Sequence, residues 1–183
     1  RALGIDPGNA AALNGRGNAL MDLGQTEAAL DSYRKALQAE PGNADAWSNC
    51  GNALVRLGRA QEGLACYDRA LAIEPADAAF HVHRGNALMA LGRASDALVS
   101  YDRAIAIRPG DVQALWNKAL ALLTQGAFDE GWALYEWRWE TADQAAHRRQ
   151  FPQPLWLGRE SLRGKTILLH AEQDLGDCIQ FCR

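Results

Sequence analysis

The chain has 183 residues, of which 48% are hydrophobic and 22% are charged, a composition typical of a globular protein rather than a disordered one. Its 19 Lys and Arg and 22 Asp and Glu give a formal net charge of −3 without long runs of one sign, which argues against a nucleic-acid-binding surface. No apolar stretch approaches the roughly 20 residues of a membrane-spanning helix, and the start does not resemble a signal peptide. We therefore predict a cytoplasmic protein with no nucleic-acid partner, no membrane contact, no metal and no cofactor.

Two residue types recur along the chain with one period of 34 residues. Four of the six prolines keep this spacing, namely Pro7, Pro41, Pro75 and Pro109. All four tyrosines keep it as well, namely Tyr33, Tyr67, Tyr101 and Tyr135. Because two residue types keep the period independently, we infer a duplicated unit, and a period of about 34 residues is typical of a helix-turn-helix repeat.

Each unit is predicted to contain two helices when its proline is numbered as position 32. The first helix follows a capping side chain at the end of the preceding unit, which is Asn9, Asn43, Asp77 or Asp111. It ends at a glycine at position 15, which is Gly24, Gly58, Gly92 or Gly126. The second helix ends just before the proline, which lacks a backbone N–H and disfavours helical geometry in the preceding residue.

Small residues at two positions predict that the two helices of a unit pack closely. Position 8 holds Gly17, Gly51, Gly85 and Ala119, and position 20 holds Ala29, Gly63, Ala97 and Gly131. Apolar residues recur at positions 11 and 28 and form one stripe per helix. The pattern therefore predicts tight antiparallel helical hairpins that stack along the chain.

This pattern resembles the tetratricopeptide repeat (TPR), and the resemblance covers residues 10 to about 140. It implies an all-α, right-handed α-solenoid with the end of a preceding unit at 1–9 and units at 10–43, 44–77, 78–111 and 112–140, the last with an atypical end. The sequence departs from the family at position 7, where leucine is replaced by Arg16, Cys50, Arg84 and Lys118. Cys50 and Cys66 are predicted to be small core residues.

In this family the first helices line the concave face, and the resemblance assigns a row of polar residues to it. The candidate peptide-binding residues are Asn18, Asn49, Asn52, Arg56, His83, Asn86, Trp116 and Asn117. An amide side chain can both donate and accept a hydrogen bond, so a row of asparagines suits an extended peptide backbone. The row is similar to the asparagine-lined repeats of O-GlcNAc transferases. The alternatives are that the asparagines are solvated residues copied during duplication, and that Trp116 packs beneath the C-terminal segment.

The charges of this face favour an uncharged partner. It lacks the regular Lys and Arg of carboxylate-clamp TPR proteins, and Arg56 is its one inward cation at position 13. We therefore predict a non-catalytic scaffold for protein-protein interaction, whose partner is a protein or peptide in an extended, uncharged and partly apolar conformation.

The sequence after the repeats changes character. Residues 141–164 are predicted to cap the last hairpin, and residues 165–183 to form a strand and a helix, the β-α remnant of a Rossmann-like domain. From Phe151 onward the chain resembles bacterial proteins in which TPR units precede a GT-B glycosyltransferase-like domain related to heptosyltransferases. Glu172, Gln173, Gly176 and Asp177 carry this resemblance. It implies an acceptor-related role for Asp177, for which a helix-capping role is the alternative.

A second function follows from that resemblance. The repeats would be the acceptor-recognition arm of a glycosyltransferase whose catalytic domain lies beyond residue 183. One strand and one helix cannot assemble a sugar-nucleotide site, so the chain itself is predicted not to be an enzyme. We expect the unpaired strand 166–169 either to pack against the last hairpin or to pair with a second copy of the chain, and the second alternative would be self-association.

Overall fold

The computed structural model describes residues 8–140 together with Ser161 and Arg163. Within this part of the chain the regular elements are eight α-helices and a final 3-10 helix. The helices are α1 (Ala10–Asp22), α2 (Thr26–Ala39), α3 (Ala44–Arg56), α4 (Ala60–Ile73), α5 (Ala78–Ala90), α6 (Ala94–Ile107), α7 (Val112–Thr124) and α8 (Phe128–Tyr135), and the 3-10 helix is Glu136–Glu140.

The all-helical solenoid is confirmed for residues 8–140. No strand occurs among the described residues, so the predicted β-α remnant has no support in the structure. The strand and helix predicted over 165–183 lie outside the described residues, as do the cap at 141–164, apart from Ser161 and Arg163, and the strand edge expected to self-associate.

The helix ends follow from local chemistry. The backbone N–H of Ala12 donates to Oδ1 of Asn9 at 2.8 Å, and the equivalent bonds to Asn43, Asp77 and Asp111 measure 2.9, 3.0 and 3.0 Å. After each first helix, the glycine at position 15 has a positive φ between 71° and 79°, a conformation that strains other residues. The predicted caps and glycine stops are therefore confirmed.

The packing order of the helices decides which face is concave. Each helix contacts its neighbours along the chain, and the first helices also contact one another, α1 with α3, α3 with α5 and α5 with α7. Among the described elements, no two second helices are in contact. Since the first helices lie closer together, they line the inner side of the curve, and we call their exposed surface the groove.

In each of the first three repeats, a glycine lets the hairpin close around a tyrosine. A Cβ atom added at Gly51 would lie 2.7 Å from Cε1 of Tyr67, and Gly17 and Gly85 are similarly close to Tyr33 and Tyr101. The three tyrosines are at most 2% exposed. The small residue at position 8 thus makes room for the ring at position 24 of the same repeat.

The fourth repeat ends differently from the other three. Its second helix, α8, has 8 residues where α2, α4 and α6 have 14, and it continues as a 3-10 helix. The guanidinium carbon of Arg138 lies 4.5 Å from the ring centroid of Tyr135 and 4.4 Å from that of Trp139. The guanidinium also donates to the carboxylate of Glu136 at 2.8 Å. These contacts hold the end of the last hairpin together around Arg138.

Candidate functional site

The asparagines at position 9 are bonded to the buried tyrosines of their own repeats. Asn18 accepts a hydrogen bond at Oδ1 from the hydroxyl of Tyr33 at 2.8 Å. The same bond, at the same length, joins Tyr67 to Asn52 and Tyr101 to Asn86. The tyrosine hydroxyl thereby gains the partner that a buried polar group requires, and the amide is held in one orientation.

This bond determines which half of each amide remains free for a further hydrogen bond. The carbonyl oxygen is occupied by the tyrosine, and no group among the described residues accepts from Nδ2 of Asn18, Asn52 or Asn86. Asn18 and Asn86 are exposed and Asn52 is half-buried. The three side chains therefore present N–H donors at equivalent places in successive repeats, and we call them the amide row.

The residues at position 6 mainly join one repeat to the next. Nδ2 of Asn49 donates to Oδ1 of Asn14 at 3.1 Å. Nδ2 of Asn117 donates to Oδ1 of Asn86 at 2.7 Å, and Asn117 is only 9% exposed. Each of these two amides uses an N–H donor within the protein, so the structure gives them a role in holding adjacent repeats together.

His83 occupies the same position in the third repeat and also bridges two repeats. Its Nδ1 lies 3.1 Å from Oγ of Ser48, and its ring lies 5.8 Å from the ring of Tyr67. Burial lowers the pKa of His83, and the opposing effect of Asp77 does not outweigh it. The imidazole is therefore neutral at pH 7.

Arg56 and Trp116 differ in how they sit at the groove. Arg56 is exposed, and its guanidinium donates to the backbone carbonyl of Met21 near the end of α1 at 3.3 Å. Trp116 is half-buried, and its indole N–H is buried without an acceptor among the described residues. The structure thus gives Arg56 a contact within the protein and leaves one donor of Trp116 unsatisfied.

Sequence reasoning placed the asparagines but missed their tyrosine partners. The signal was present, because each Asn–Tyr pair is separated by 15 residues in three successive repeats. The fourth repeat has Leu120 at position 9 and lacks the bond. The second predicted site, at Glu172, Gln173, Gly176 and Asp177, lies outside the described residues.

Other kinds of site have little basis in the described residues. Within residues 8–140, no three His, Cys, Asp or Glu side chains are grouped so as to hold a metal ion. The helices that the structure describes are too short and too polar to cross a bilayer.

Comparison with known proteins identifies similar sequences and similar structures. Protein FlbA of Caulobacter vibrioides is 42% identical over 64 residues, which are 35% of this chain and 11% of that protein. The crystal structure of MamA has a TM-score of 0.69 and 25% identity, covering 80% of this chain and 86% of that one. The first TPR of Spaghetti (RPAP3), bound to the HSP90 peptide SRMEEVD, has a TM-score of 0.63 and 24% identity over 64% of this chain and 94% of that one.

Family models match the repeats themselves. A TPR repeat model matches residues 17–58, and a tetratricopeptide repeat model matches residues 49–112 and 83–146. The matched ranges together span residues 17–146, which is most of the chain, and they overlap the helical hairpins of the described residues. The chain therefore belongs to the tetratricopeptide repeat family.

Proposed function

We propose that the chain is a protein-interaction scaffold that binds an extended segment of another protein in the groove, through the amide row. The single observation that carries this proposal is the Tyr–Asn hydrogen bond repeated at 2.8 Å in three repeats. It leaves a donor free at equivalent places in α1, α3 and α5. An extended peptide has carbonyl oxygens at regular intervals, and these are the acceptors that such a row can bind.

The fixed amides favour recognition of the backbone over recognition of side chains. An unconstrained asparagine can turn either its oxygen or its nitrogen toward a ligand, and orienting it on binding costs conformational entropy. Here the hydrogen bond from the tyrosine hydroxyl already fixes the orientation of the amide. Binding therefore requires little reorganisation of Asn18, Asn52 or Asn86, and it does not depend on the partner's side chains.

The charge of the groove selects against acidic partners. The HSP90 peptide bound by the RPAP3 repeat is acidic, and a site for such a peptide requires cations. In this groove the cation at position 13 is Arg56, whose guanidinium already contacts the Met21 carbonyl, while Asp22 and Asp45 add negative charge. Val55 and Met89 are half-buried against the core and add limited apolar surface beside the groove. An uncharged, partly apolar segment fits these features best.

The test separates the ligand-binding role of the amide row from its structural role. Asparagine-to-alanine variants would leave a buried tyrosine hydroxyl without a partner, so a loss of binding could reflect instability. The double variant Asn52→Asp, Asn86→Asp keeps an oxygen that accepts from each tyrosine but replaces the free donor with an acceptor. A matched control, Gln38→Glu with Gln61→Glu, adds the same charge on exposed positions of α2 and α4.

The probes are fluorescein-labelled peptides recovered from a random peptide library selected on the unaltered chain. We expect the Asp variant to bind them about tenfold or more weakly by fluorescence anisotropy, a difference of roughly 1.4 kcal/mol, because two donors are lost. The control should bind as the unaltered chain does. Equal binding by the Asp variant would show that the selected peptides do not use the amide row.

The second candidate is the acceptor-recognition arm of a glycosyltransferase. The observation that favours it is the turn sequence with Glu172, Gln173, Gly176 and Asp177. The family models end at residue 146 and do not reach this stretch. Binding of sugar nucleotides by a longer gene product that contains both domains of such an enzyme would support this function, and a longer product that binds peptides but no sugar nucleotide would contradict it.

A further inference from the structure

The second repeat carries two cysteines at positions that face each other in a hairpin. In the third repeat these are positions 7 and 23, where Nη1 of Arg84 donates to Oγ of Ser100 at 2.8 Å. In the second repeat the same positions are Cys50, 3% exposed, and Cys66, 8% exposed, both free thiols. The first repeat has arginine and serine there, as the third does. The second repeat therefore replaces both members of a facing pair with cysteine.

The charge at position 25, next to this pair, also has the opposite sign to that in the following two repeats. Position 25 of one repeat adjoins position 7 of the next, where Asp68 pairs with Arg84 at 2.7 Å and Asp102 pairs with Lys118 at 2.9 Å. Position 25 before Cys50 is instead occupied by a cation, Arg34. A cation in that place favours the thiolate form of a cysteine at position 7, and Arg34 accordingly lowers the pKa of Cys50.

The two thiols have different acid strengths. The pKa of Cys50 is lowered by the hydrogen bond from the Cys66 thiol, against the effect of burial, and Arg34 and Arg59 lower it further while Glu62 raises it. The same hydrogen bond and burial raise the pKa of Cys66. Since the thiolate is the reactive form of cysteine, the lowered pKa favours Cys50 over Cys66 as the attacking thiol.

We propose that Cys50 and Cys66 are an oxidation site that closes to a reversible disulfide between α3 and α4 when a small peroxide reaches the hairpin. The thiolate of Cys50 attacks one peroxide oxygen, the O–O bond breaks, and water leaves with the thiol proton, giving a sulfenic acid. The sulfur of Cys66 then attacks the sulfur of Cys50, and a second water leaves. Two thiols and one hydrogen peroxide thus become one disulfide and two waters.

The packing around the pair supports bond formation. Gly51 lies beside Cys50, and a Cβ atom added at Gly63 would lie 3.0 Å from the carbonyl oxygen of Gly51, so the backbones of α3 and α4 are close together at this level. The disulfide would fix the second hairpin, whose α3 carries Asn52 of the amide row. The site does not depend on the proposed peptide binding.

The test uses a background in which Cys178 and Cys182 are replaced by serine. After treatment with hydrogen peroxide, intact-mass spectrometry should show the loss of two hydrogen atoms, and peptide mapping should place a bond between residues 50 and 66. Dithiothreitol should restore both thiols. The thermal midpoint of the oxidised form should exceed that of the reduced form by roughly 5 °C, because the unfolded chain is then cross-linked.

Two single variants separate the roles of the thiols. Cys66→Ser places at position 23 the residue found there in the first and third repeats, so it should fold, and after peroxide treatment its Cys50 should react with dimedone as a sulfenic acid. Cys50→Ser should show no dimedone adduct at Cys66. Retention of both thiols in the oxidised background, or bonds that form only between chains, would overturn the proposal.

Discussion

The tyrosine at position 24 is buried in the first three repeats but only half-buried in the fourth. In the first three, the ring lies against a glycine and its hydroxyl is bonded to an asparagine, as with Tyr67, Gly51 and Asn52. In the fourth, alanine (Ala119) replaces the glycine, leucine (Leu120) replaces the asparagine, and Tyr135 is half-buried, with its ring centroid 5.4 Å from that of Trp132 and the two rings nearly perpendicular. The difference teaches that a tyrosine at position 24 does not by itself create the amide row. The glycine that admits the ring and the oxygen that accepts from it are required as well.

The largest expected effect is the loss of a buried ring. Tyr101→Ala should lower the free energy of unfolding by about 3–5 kcal/mol, because a fully buried aromatic side chain is removed and a cavity remains. Tyr135→Ala should cost clearly less, because its side chain is only half-buried. Urea unfolding followed by circular dichroism at 222 nm measures both, and equal losses would show that the two tyrosines are equivalent.

Exchanging glycine and alanine at position 8 should lower stability in both regions. In the first three repeats the exchange adds a methyl group, and in the fourth it removes one. Gly51→Ala should destabilise by about 1–2 kcal/mol, since the new methyl group overlaps the Tyr67 ring and the gain in helix propensity offsets only part of that cost. Ala119→Gly should destabilise by about 1–2 kcal/mol, because glycine has a lower helix propensity and a buried methyl group is lost. If thermal unfolding showed Gly51→Ala to be stabilising, the steric role of the glycine would be refuted.

Removing only the hydroxyl isolates the Tyr–Asn bond. Tyr67→Phe should lower stability by about 1 kcal/mol, because Asn52 loses its hydrogen-bond donor. In addition, the freed amide should give broader side-chain NH2 resonances in an NMR spectrum. Tyr135→Phe is the matched control, and it should leave stability within about 0.5 kcal/mol of the unaltered chain.

The smallest expected effect is the pH dependence of stability that comes from His83, the residue at position 6 of the third repeat. Burial lowers the pKa of His83, so as the pH falls through the ordinary histidine range the unfolded chain binds a proton first and the free energy of unfolding decreases. His83→Asn places at position 6 the residue of the second and fourth repeats. We expect the variant to lose less stability than the unaltered chain between pH 7.5 and 5.5, by urea titration at each pH. Parallel curves would contradict burial of a neutral imidazole.

The fold was predictable from sequence because its determinants are local and repeated. The prolines, the glycines at position 15 and the caps such as Asn43 each act within a few residues, and each one agrees with the same period. The candidate site was predictable only as a column of positions. That Asn49 and Asn117 bond to neighbouring repeats, whereas Asn52 keeps a free donor, depends on side chains far apart in sequence.

The sequence by itself determined the helical hairpins, their boundaries and their number over residues 10–135, because helix caps, turn glycines and prolines act through the adjacent backbone. The tertiary structure alone decided which polar groups remain available to a partner. A hydrogen bond between Tyr101 and Asn86 forms only after two helices have packed, and only then is the amide oxygen occupied while the nitrogen keeps its donors.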